Sequence, residues 1–296
     1  MTTEGRSFAL LVNPHAGHGR ALALLPQVER SLEARGMQYR VVMTTSIEHG
    51  RSEALAATTA GEIPVVVSGD GLIGQVGGAL AGGDAALGVI PGGRGNDFAR
   101  VAGIPTNVDE AVATLEAGVT REIDVGEIGG AHFLCIASCG FDSDANRIAN
   151  EVRLVRGNLV YAYAAMKALA QWKPATFTLE LDGRARVFRG YSVAAANGKA
   201  YGGGMFAAPA AELDDGLLDV VWLGQTGKLR FLFNLMPKVF KGKHVDEPQV
   251  TVERATEVRI EADRPFTVYA DGDPIAELPV TVRLLPKALR VIVAAA

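Results

Sequence analysis

Two glycine-rich turns carry the residues of this chain that are best suited to bind phosphate. The first turn, 68–71 (Ser-Gly-Asp-Gly), follows the apolar run 65–67, and the second, 91–97 (Pro-Gly-Gly-Arg-Gly-Asn-Asp), follows the apolar run 87–90. Each is a buried-type strand followed by a turn that opens a helix, where free backbone N–H groups and the positive end of the helix dipole can hold an anion. Two such turns in one sheet predict a nucleotide site.

Polar side chains in and near these turns are candidates for contact with nucleotide or metal. Asp70 stands between two glycines and can bind Mg²⁺ or order the phosphate loop, and Asp97 can do the same or simply cap a helix. Asn13, after the first predicted strand, can hydrogen-bond the nucleotide, and Gly17 leaves room for phosphate against the backbone. The alternative for 13–17 is a turn that only connects a strand to a helix.

Two familiar nucleotide motifs fit poorly or are absent. Residues 69–74 spell G-x-G-x-x-G between a predicted strand and a predicted helix, as in dinucleotide sites. Such sites also require an acidic residue at the end of the next strand, whereas Pro-Gly-Gly follows the strand 87–90. The Walker motif is absent because no Gly-Lys pair is followed by Ser or Thr.

Composition and charge limit the class of protein. With 296 residues, of which 48% are hydrophobic and 21% charged, the chain can bury a full core and fits a soluble protein of two domains. A formal net charge of −4 argues against a nucleic-acid partner. No apolar run approaches the roughly 20 residues of a spanning helix, and residues 1–7 lack an apolar signal core, so we expect a cytoplasmic protein.

Strands alternate with helices over the first 127 residues. The predicted strands are 8–12, 39–43, 65–67 and 87–90, and the predicted helices are 21–32, 52–60, 72–80, 97–101 and 109–117. This alternation predicts an α/β N-terminal domain, 1–127, with a doubly wound, mostly parallel sheet. Ligands of such sheets bind at the carboxyl ends of the strands, where both glycine turns fall.

From residue 128 the pattern is mainly that of β-strands, and it predicts an antiparallel β-sandwich domain over 128–285. The predicted strands are 176–181, 187–195, 217–223, 250–254, 257–261, 266–269 and 280–285, interrupted by predicted helices at 144–171 and 228–241. Residues 286–296 can return to the first domain. We expect the active site in the cleft between the domains, and an exposed sandwich edge can pair with a second copy in a homodimer.

Two acidic turns occur in the second half. Asp214, Asp215 and Asp219 fall within six residues, an arrangement that is costly unless a cation or solvent screens the carboxylates, and a solvated acidic hairpin is the alternative. Asp271 and Asp273 flank a glycine after a predicted strand, and here the alternative is a plain Asp-Gly hairpin.

Short motifs along nearly the whole chain follow one another in a definite order. They are 12–17 (Val-Asn-Pro-His-Ala-Gly), 69–71 (Gly-Asp-Gly), 91–100, 140–142 (Gly-Phe-Asp), 197–198 (Asn-Gly), 201–205, 208–209, 213–219 and 271–273 (Asp-Gly-Asp). Any one of them is weak evidence, but the ordered set resembles the diacylglycerol kinase catalytic-domain family of bacterial lipid kinases, which is related to the sphingosine kinases.

The resemblance implies an ATP-dependent kinase that transfers the γ-phosphoryl group to a lipid hydroxyl, with Mg²⁺ as cofactor and ATP as co-substrate. It implies a nucleotide site in the first domain and a lipid site in the second. Together with the turn chemistry it places the following residues around the nucleotide: Asn13, Gly17, Thr44, Thr45, Gly69, Asp70, Gly71, Gly93, Arg94, Asn96 and Asp97. It also implies a structural Mg²⁺ held by Glu212, Asp215 and the main-chain carbonyl of Leu217.

The catalytic base implied by the resemblance lies in 271–273. Phosphoryl transfer to an alcohol requires a carboxylate that accepts the hydroxyl proton. Either Asp271 or Asp273 can serve, and Asp273 occupies the position where the family usually has Glu. The shorter side chain retracts this carboxylate by roughly 1.5 Å.

The chain differs from the family near the first glycine turn. Leu72, Gly74 and Gln75 stand where Thr, Asn and Glu are common, and Arg94 stands where Thr is common, although its guanidinium can contact phosphate. These differences leave a second hypothesis open, a non-catalytic nucleotide- or lipid-sensing protein of the same fold.

A basic and apolar segment predicts transient contact with a membrane surface. Residues 228–243 contain five Lys and Arg residues among eight large apolar ones, a composition that suits an anionic lipid surface. The alternative is a helix that packs on the sandwich and exposes a charged rim.

Overall fold

The fold is seen in a computed structural model that describes residues 6–141, 143–145, 148 and 166–295. Its strands are β1 Ser7–Val12, β2 Gln38–Met43, β3 Ile63–Ser68, β4 Ala86–Pro91, β5 Thr120–Ile128, β6 Ala131–Phe133, β7 Ile136–Gly140, β8 Ala175–Leu181, β9 Arg184–Ala196, β10 Leu218–Gly224, β11 Val250–Ala255, β12 Glu257–Ala262, β13 Thr267–Ala270, β14 Asp273–Glu277 and β15 Val280–Ile292. Its first five helices are α1 Arg20–Glu33, α2 Ile47–Thr59, α3 Asp70–Leu80, α4 Asp97–Ala102 and α5 Val108–Ala117.

The first half is an α/β domain with a parallel sheet in the order β2-β1-β3-β4. Successive side chains of β1 face opposite ways, as the period of a strand requires. Phe8 and Leu10 join a core cluster with residues of α1 and α5, whereas Leu11 joins a second cluster with residues of α2 and α3. Helices therefore cover both faces of the sheet, and the predicted doubly wound fold is confirmed.

The second half is built mainly from antiparallel strands around an aromatic core, which confirms the predicted fold class of this part. β9 pairs with β7, β8 and β10, and β13 pairs with β7 and β14. The long strand β15 joins the halves, because its first residues pair with β12 while Arg290 and Val291 run parallel to β4. One hydrogen-bonded strand network thus holds the two halves against each other.

Several element boundaries differ from the prediction. The strand β5 was not predicted, and β15 continues beyond residue 285 to pair with it along nearly its whole length. α2 begins at Ile47 instead of residue 52, because the Ser46 hydroxyl accepts the backbone N–H of His49 and caps the first turn.

The strand structure is interrupted between β6 and β7. The backbone N–H groups of Leu134 and Cys135 donate to the carboxylate of Asp271 instead of to a neighbouring strand. Cys135 and Cys139 are both buried free thiols.

The two predicted helices of the second half have different outcomes. The helix predicted at 144–171 lies largely outside the described residues. The second is a continuous helical segment formed by Lys228–Arg230, a π-helical turn Phe231–Leu235 and Met236–Val239. No helix among the described residues combines the length and apolarity needed to cross a bilayer.

Candidate active site

Three loops, at 13–19, 68–71 and 91–97, meet at the carboxyl ends of β1, β3 and β4. A methyl group added at Gly93 would lie 2.5 Å from the Cα of Gly69, so the two glycine turns touch backbone to backbone. Gly17, at φ +59°, is as close to the second turn, since an added methyl group would lie 2.7 Å from the Gly92 carbonyl oxygen. The three loops form one surface of backbone atoms that side chains do not cover, which suits phosphate.

Gly93→Ala is expected to lower the free energy of unfolding by about 1–3 kcal/mol, because the added methyl group has no room and the two turns must separate. Urea denaturation of the wild type and the variant measures this difference. Gly227→Ala is the matched control, since Gly227 has an ordinary φ of −68° and no atom near its missing methyl group. Equal stability of Gly93→Ala and wild type would show that the turns are not in contact.

The polar side chains predicted around the nucleotide mostly shape these loops. The side-chain oxygen of Asn13 accepts the backbone N–H of His15 at 3.0 Å, and that of Asn96 accepts the backbone N–H of Gly93 at 2.9 Å. These bonds hold the loops at 13–19 and 91–97 in shape. Thr44 is buried and its hydroxyl donates to the Val12 carbonyl. The side-chain oxygens of Asn13 and Asn96 and the Thr44 hydroxyl are thus engaged in contacts that shape the loops.

Thr45 and Arg94 are the predicted contacts that stay at the surface. The Thr45 hydroxyl lies 3.1 Å from the Nδ1 atom of His49. Arg94 is exposed and makes no ion pair or hydrogen bond with the residues that the structure describes, so its guanidinium is available to an anion at the second turn.

Two carboxylates stand at the starts of α3 and α4. Asp70 accepts the backbone N–H of Phe98 at 3.0 Å, and Asp97 accepts the backbone N–H of Gly203 at 2.6 Å and pairs with Arg100. A methyl group added at Gly95 would lie 3.1 Å from one carboxylate oxygen of Asp70 and 3.2 Å from one of Asp97. Burial chiefly, and also the nearby charge of Asp97, raise the pKa of Asp70.

This pair of carboxylates fits a hard divalent cation that a nucleotide brings with it. Mg²⁺ is commonly bound by one or two carboxylates together with phosphate oxygens and waters, and it relieves the repulsion between crowded like charges. Within the described ranges no three His, Cys, Asp or Glu side chains form a preassembled metal centre. Asp70 and Asp97 would therefore share the ion with the phosphates.

The Asp271–Asp273 turn faces the same end of α3. Asp271 and Gly272 have positive φ angles of 49° and 97° and form the tight turn between β13 and β14 that an Asp-Gly pair favours. A methyl group on Gly74 would lie 3.3 Å from the Asp271 carboxylate, and one on Gly71 would lie 3.4 Å from that of Asp273. The structure therefore brings the acidic turn and both glycine turns to one crevice.

The two carboxylates of this turn have different surroundings. Asp271 accepts three backbone N–H groups, from Leu134 (2.6 Å), Cys135 (3.0 Å) and Ile136 (3.0 Å). Asp273 makes no hydrogen bond through its carboxylate with any described residue, and burial raises its pKa. Asp271 is thus fixed in place, whereas Asp273 has free lone pairs.

Two differences from the family have a structural counterpart. Leu72 is buried and packs on α2, where a methyl group on Gly50 would lie only 2.7 Å from it. Gly74 leaves the space in which the Asp271 carboxylate sits. Leu72 and Gly74 therefore take part in the packing of α3 against its neighbours and do not fill the crevice.

The stability contributed by Asp271 is expected to depend on pH. Burial raises the pKa of Asp271 from 3.8 to about 6, although the three N–H donors oppose this shift. Because the pKa is higher in the folded protein, the stabilisation is complete below pH ~4 and is lost as the pH rises through about 6. Relative to Asp271→Asn, the wild type should therefore lose up to about 3 kcal/mol of unfolding free energy between pH ~4 and ~7.

Urea denaturation of both proteins across this pH range measures the difference. Asp263→Asn is the control, since Asp263 is an exposed carboxylate of the same domain, and its curve should run parallel to that of the wild type. A constant difference between Asp271→Asn and wild type at all these pH values would contradict the expected titration.

Arginines neutralise the acidic turn at 214–219. Arg121 forms a bidentate pair with Asp214 at 2.6 and 2.7 Å, and Arg254 lies 3.1 Å from Asp215 and 3.5 Å from Asp219. Burial raises the pKa of Asp219, against the opposing charge of Arg254, and one of its oxygens is buried without a partner among the described residues.

The carboxylates of this turn are therefore paired with arginines and are not screened by solvent alone. The magnesium ligands predicted here, Glu212, Asp215 and the carbonyl of Leu217, lie beside an arginine that already screens Asp215, and a metal ion at this turn stays a prediction.

Two residues that hold neighbouring segments in place were not predicted to do so from the sequence. Asp124 is fully buried and accepts the backbone N–H groups of Gly216 and Lys287, both at 2.7 Å. The backbone of Asn197 donates to the Cys135 carbonyl, which anchors the segment that holds Asp271. Asp124 lies between Glu122 and Glu127 in a strand that was not predicted, and Asn197 was noted only as part of the Asn-Gly motif at 197–198.

Comparison with known proteins finds similar sequences over most of the chain. A family model described as "Diacylglycerol kinase catalytic domain" matches residues 7–128, and one described as "YegS C-terminal NAD kinase beta sandwich-like domain" matches residues 135–293. A diacylglycerol kinase of Mycobacterium tuberculosis is 36% identical over 290 residues, which cover 95% of this chain and 93% of the relative.

Further similar proteins span the same length. A protein of Pseudomonas fluorescens named "Probable lipid kinase YegS-like" is 32% identical, with 93% of this chain and 92% of the relative covered. The crystal structure of a diacylglycerol kinase from Bacillus anthracis superposes with a TM-score of 0.75 at 23% identity and covers 98% of this chain and 97% of its own, which shows the shared fold.

Proposed function

The chain belongs to the diacylglycerol kinase catalytic-domain family, and on this basis we propose that it transfers the γ-phosphoryl group of ATP to the hydroxyl of a lipid alcohol of the diacylglycerol class. The observation that carries the proposal is the convergence of two glycine turns with four carboxylates, Asp70, Asp97, Asp271 and Asp273, at one end of α3. Similar proteins named diacylglycerol kinase and lipid kinase support this class of reaction.

Each side chain has a distinct part in the proposed reaction. The backbone N–H groups of the loops at 13–19, 68–71 and 91–97 bind the phosphates. Asp70 and Asp97 would hold Mg²⁺, which supplies charge neutralisation to the transferred phosphoryl group. Asp273 accepts the proton of the lipid hydroxyl while the hydroxyl oxygen bonds to the γ-phosphorus and the bond to the β-phosphate oxygen breaks, which releases ADP.

Asp273 suits the base better than Asp271. Three backbone N–H groups occupy three of the about four lone-pair sites of the Asp271 carboxylate and hold it against the 134–136 segment. Asp273 makes no hydrogen bond through its carboxylate with the described residues, so this carboxylate can turn to accept a proton. Asp271 is then a positioning residue that holds the 134–136 segment against the turn.

Transfer of labelled phosphate tests the proposal. The full chain is incubated with γ-labelled ATP, Mg²⁺ and a panel of lipid alcohols in mixed micelles: a diacylglycerol, a sphingoid base, phosphatidylglycerol and an isoprenoid alcohol. We expect label in the organic phase with the diacylglycerol. Nucleotide binding by calorimetry without transfer to any of the lipids would favour the sensor hypothesis and refute the kinase.

A further inference from the structure

Residues 228–243, called here the docking segment, expose large apolar side chains. Leu229, Phe233 and Phe240 are 74%, 73% and 53% exposed. They lie on the solvent-exposed side of this helical segment, whose buried residues are Phe231 and Leu235. Their exposure is unusual for residues of this size and leaves an apolar stripe that the described part of the chain does not cover.

The opposite side of the same helix packs against the core of the second half. Phe231 is buried and stacks on Tyr191 with ring centroids 4.6 Å apart, and it meets Phe141 edge-on at 4.7 Å. Leu235, one turn further, is buried in the same core. The helix is therefore held by its inner side chains, and the outer stripe contributes nothing to the core.

Positive charge surrounds the stripe. The docking segment contains five basic and no acidic residues, whereas the whole chain has a net charge of −4. Arg230 and Lys238 are both paired with Glu247. Lys241 and Lys243 are exposed and form no ion pair with the described part of the chain, so their charges are available to a partner.

We infer that the docking segment binds an anionic lipid surface, with its apolar stripe at the level of the acyl chains and its lysines at the headgroups. This inference rests on the proposed function, since a lipid substrate is reached at such a surface. An apolar stripe beside Lys241 and Lys243, which are unpaired within the described part of the chain, matches a negatively charged bilayer. A second copy of the chain fits poorly, because a symmetric contact would set one cluster of positive charges against the same cluster.

The docking segment also lies next to the crevice. The Val239 carbonyl accepts the backbone N–H of Phe206 at 3.0 Å, and the His244 ring lies 3.0 Å from the Ala207 carbonyl oxygen. The same loop continues back to Gly203, which donates to Asp97. The docking segment is therefore in contact with the loop that borders the phosphate turns.

Vesicle flotation tests the inference with two variants of the full chain. One replaces the stripe (Leu229→Ser, Phe233→Ser and Phe240→Ser), and the other removes two charges (Lys241→Gln and Lys243→Gln). The matched controls are Val187→Ser, which changes a 68% exposed apolar residue of β9, and the pair Arg30→Gln and Arg51→Gln, which removes two exposed charges from the first domain. Vesicles contain phosphatidylcholine with or without phosphatidylglycerol.

Wild type should bind only the vesicles with phosphatidylglycerol, and added salt should weaken binding. Loss of two lysines should lower the affinity about 30-fold, since each contributes about fivefold. Loss of the stripe should lower it at least about tenfold, and both controls should bind as wild type does. Equal binding of all variants, or self-association of the wild type that the stripe variant abolishes without any vesicle binding, would overturn the inference.

A soluble substrate separates this inference from the proposed function. Both docking variants should phosphorylate a short-chain diacylglycerol, dissolved as monomers, at the wild-type rate. Vesicle binding by a wild type that transfers no phosphate would leave the docking surface supported and refute the kinase.

Discussion

Asp273→Asn should lower the rate constant of phosphoryl transfer by about 10²- to 10⁴-fold while the affinity for nucleotide stays unchanged. The amide keeps the shape of the carboxylate but cannot accept a proton from the lipid hydroxyl. Because Asp273 makes no hydrogen bond through its carboxylate with the described residues, its loss should not disturb the fold. Steady-state kinetics with γ-labelled ATP give kcat, and calorimetry with ADP gives the affinity.

Two further variants sharpen this test. Asp273→Glu restores a carboxylate on a side chain that is longer by about 1.5 Å, and it should keep far more activity than the amide. Asp263→Asn removes an exposed carboxylate of the same domain and should behave as wild type. Turnover by Asp273→Asn within a few fold of the wild-type value would remove Asp273 from the reaction.

The pH profile adds a readout that a structural defect would not reproduce. Since burial raises the pKa of Asp273, kcat/KM of the wild type should fall as the pH decreases through that pKa and the base becomes protonated. The residual activity of Asp273→Asn should lack this acid limb.

Asp70→Asn should lower kcat/KM at least about 100-fold and raise the Mg²⁺ concentration needed for half-maximal activity. The amide oxygen can still accept the backbone N–H of Phe98, so the link between α3 and α4 is kept while the negative charge beside Asp97 is lost. Activity measured over a range of Mg²⁺ concentrations gives both quantities.

Asp109→Asn is the matched control for this change, because Asp109 also lies in the first turn of a helix of the same domain but remote from the crevice. It should leave activity and the Mg²⁺ requirement as they are. Should Asp70→Asn need no more Mg²⁺ than wild type, Asp70 would have no part in holding the metal.

The sequence was sufficient for the parts of the fold that depend on local pattern. β1, β3 and β4 are apolar runs with glycine turns after them, and each turn fixes the start of a helix within a few residues. By contrast, β5 pairs with β15, some 160 residues away, and its alternation alone was too weak to reveal it. Strand pairing over such a separation depends on residues that are far apart in the chain, and a short stretch of sequence does not reveal it.

The candidate site likewise combines features that the sequence predicts with features that it does not. The glycine turns and the Asp271–Asp273 turn are local motifs, and their residues could be named from the sequence. The contacts that connect them join positions far apart, such as Gly203 with Asp97 and Leu134 with Asp271, and they use backbone N–H groups that every residue has. Arg254 beside Asp215 is similar, because nothing local marks that arginine as a partner of the acidic turn.

A crystal structure of the full chain with Mg²⁺ and a non-hydrolysable ATP analogue tests most directly whether the crevice is a phosphoryl-transfer site. We expect the phosphates against the backbone of the turns at 68–71 and 91–97, the metal ion in contact with Asp70 or Asp97, and the γ-phosphate facing Asp273 across a gap that admits a hydroxyl. A nucleotide bound elsewhere, with its γ-phosphate out of reach of Asp273, would contradict the account.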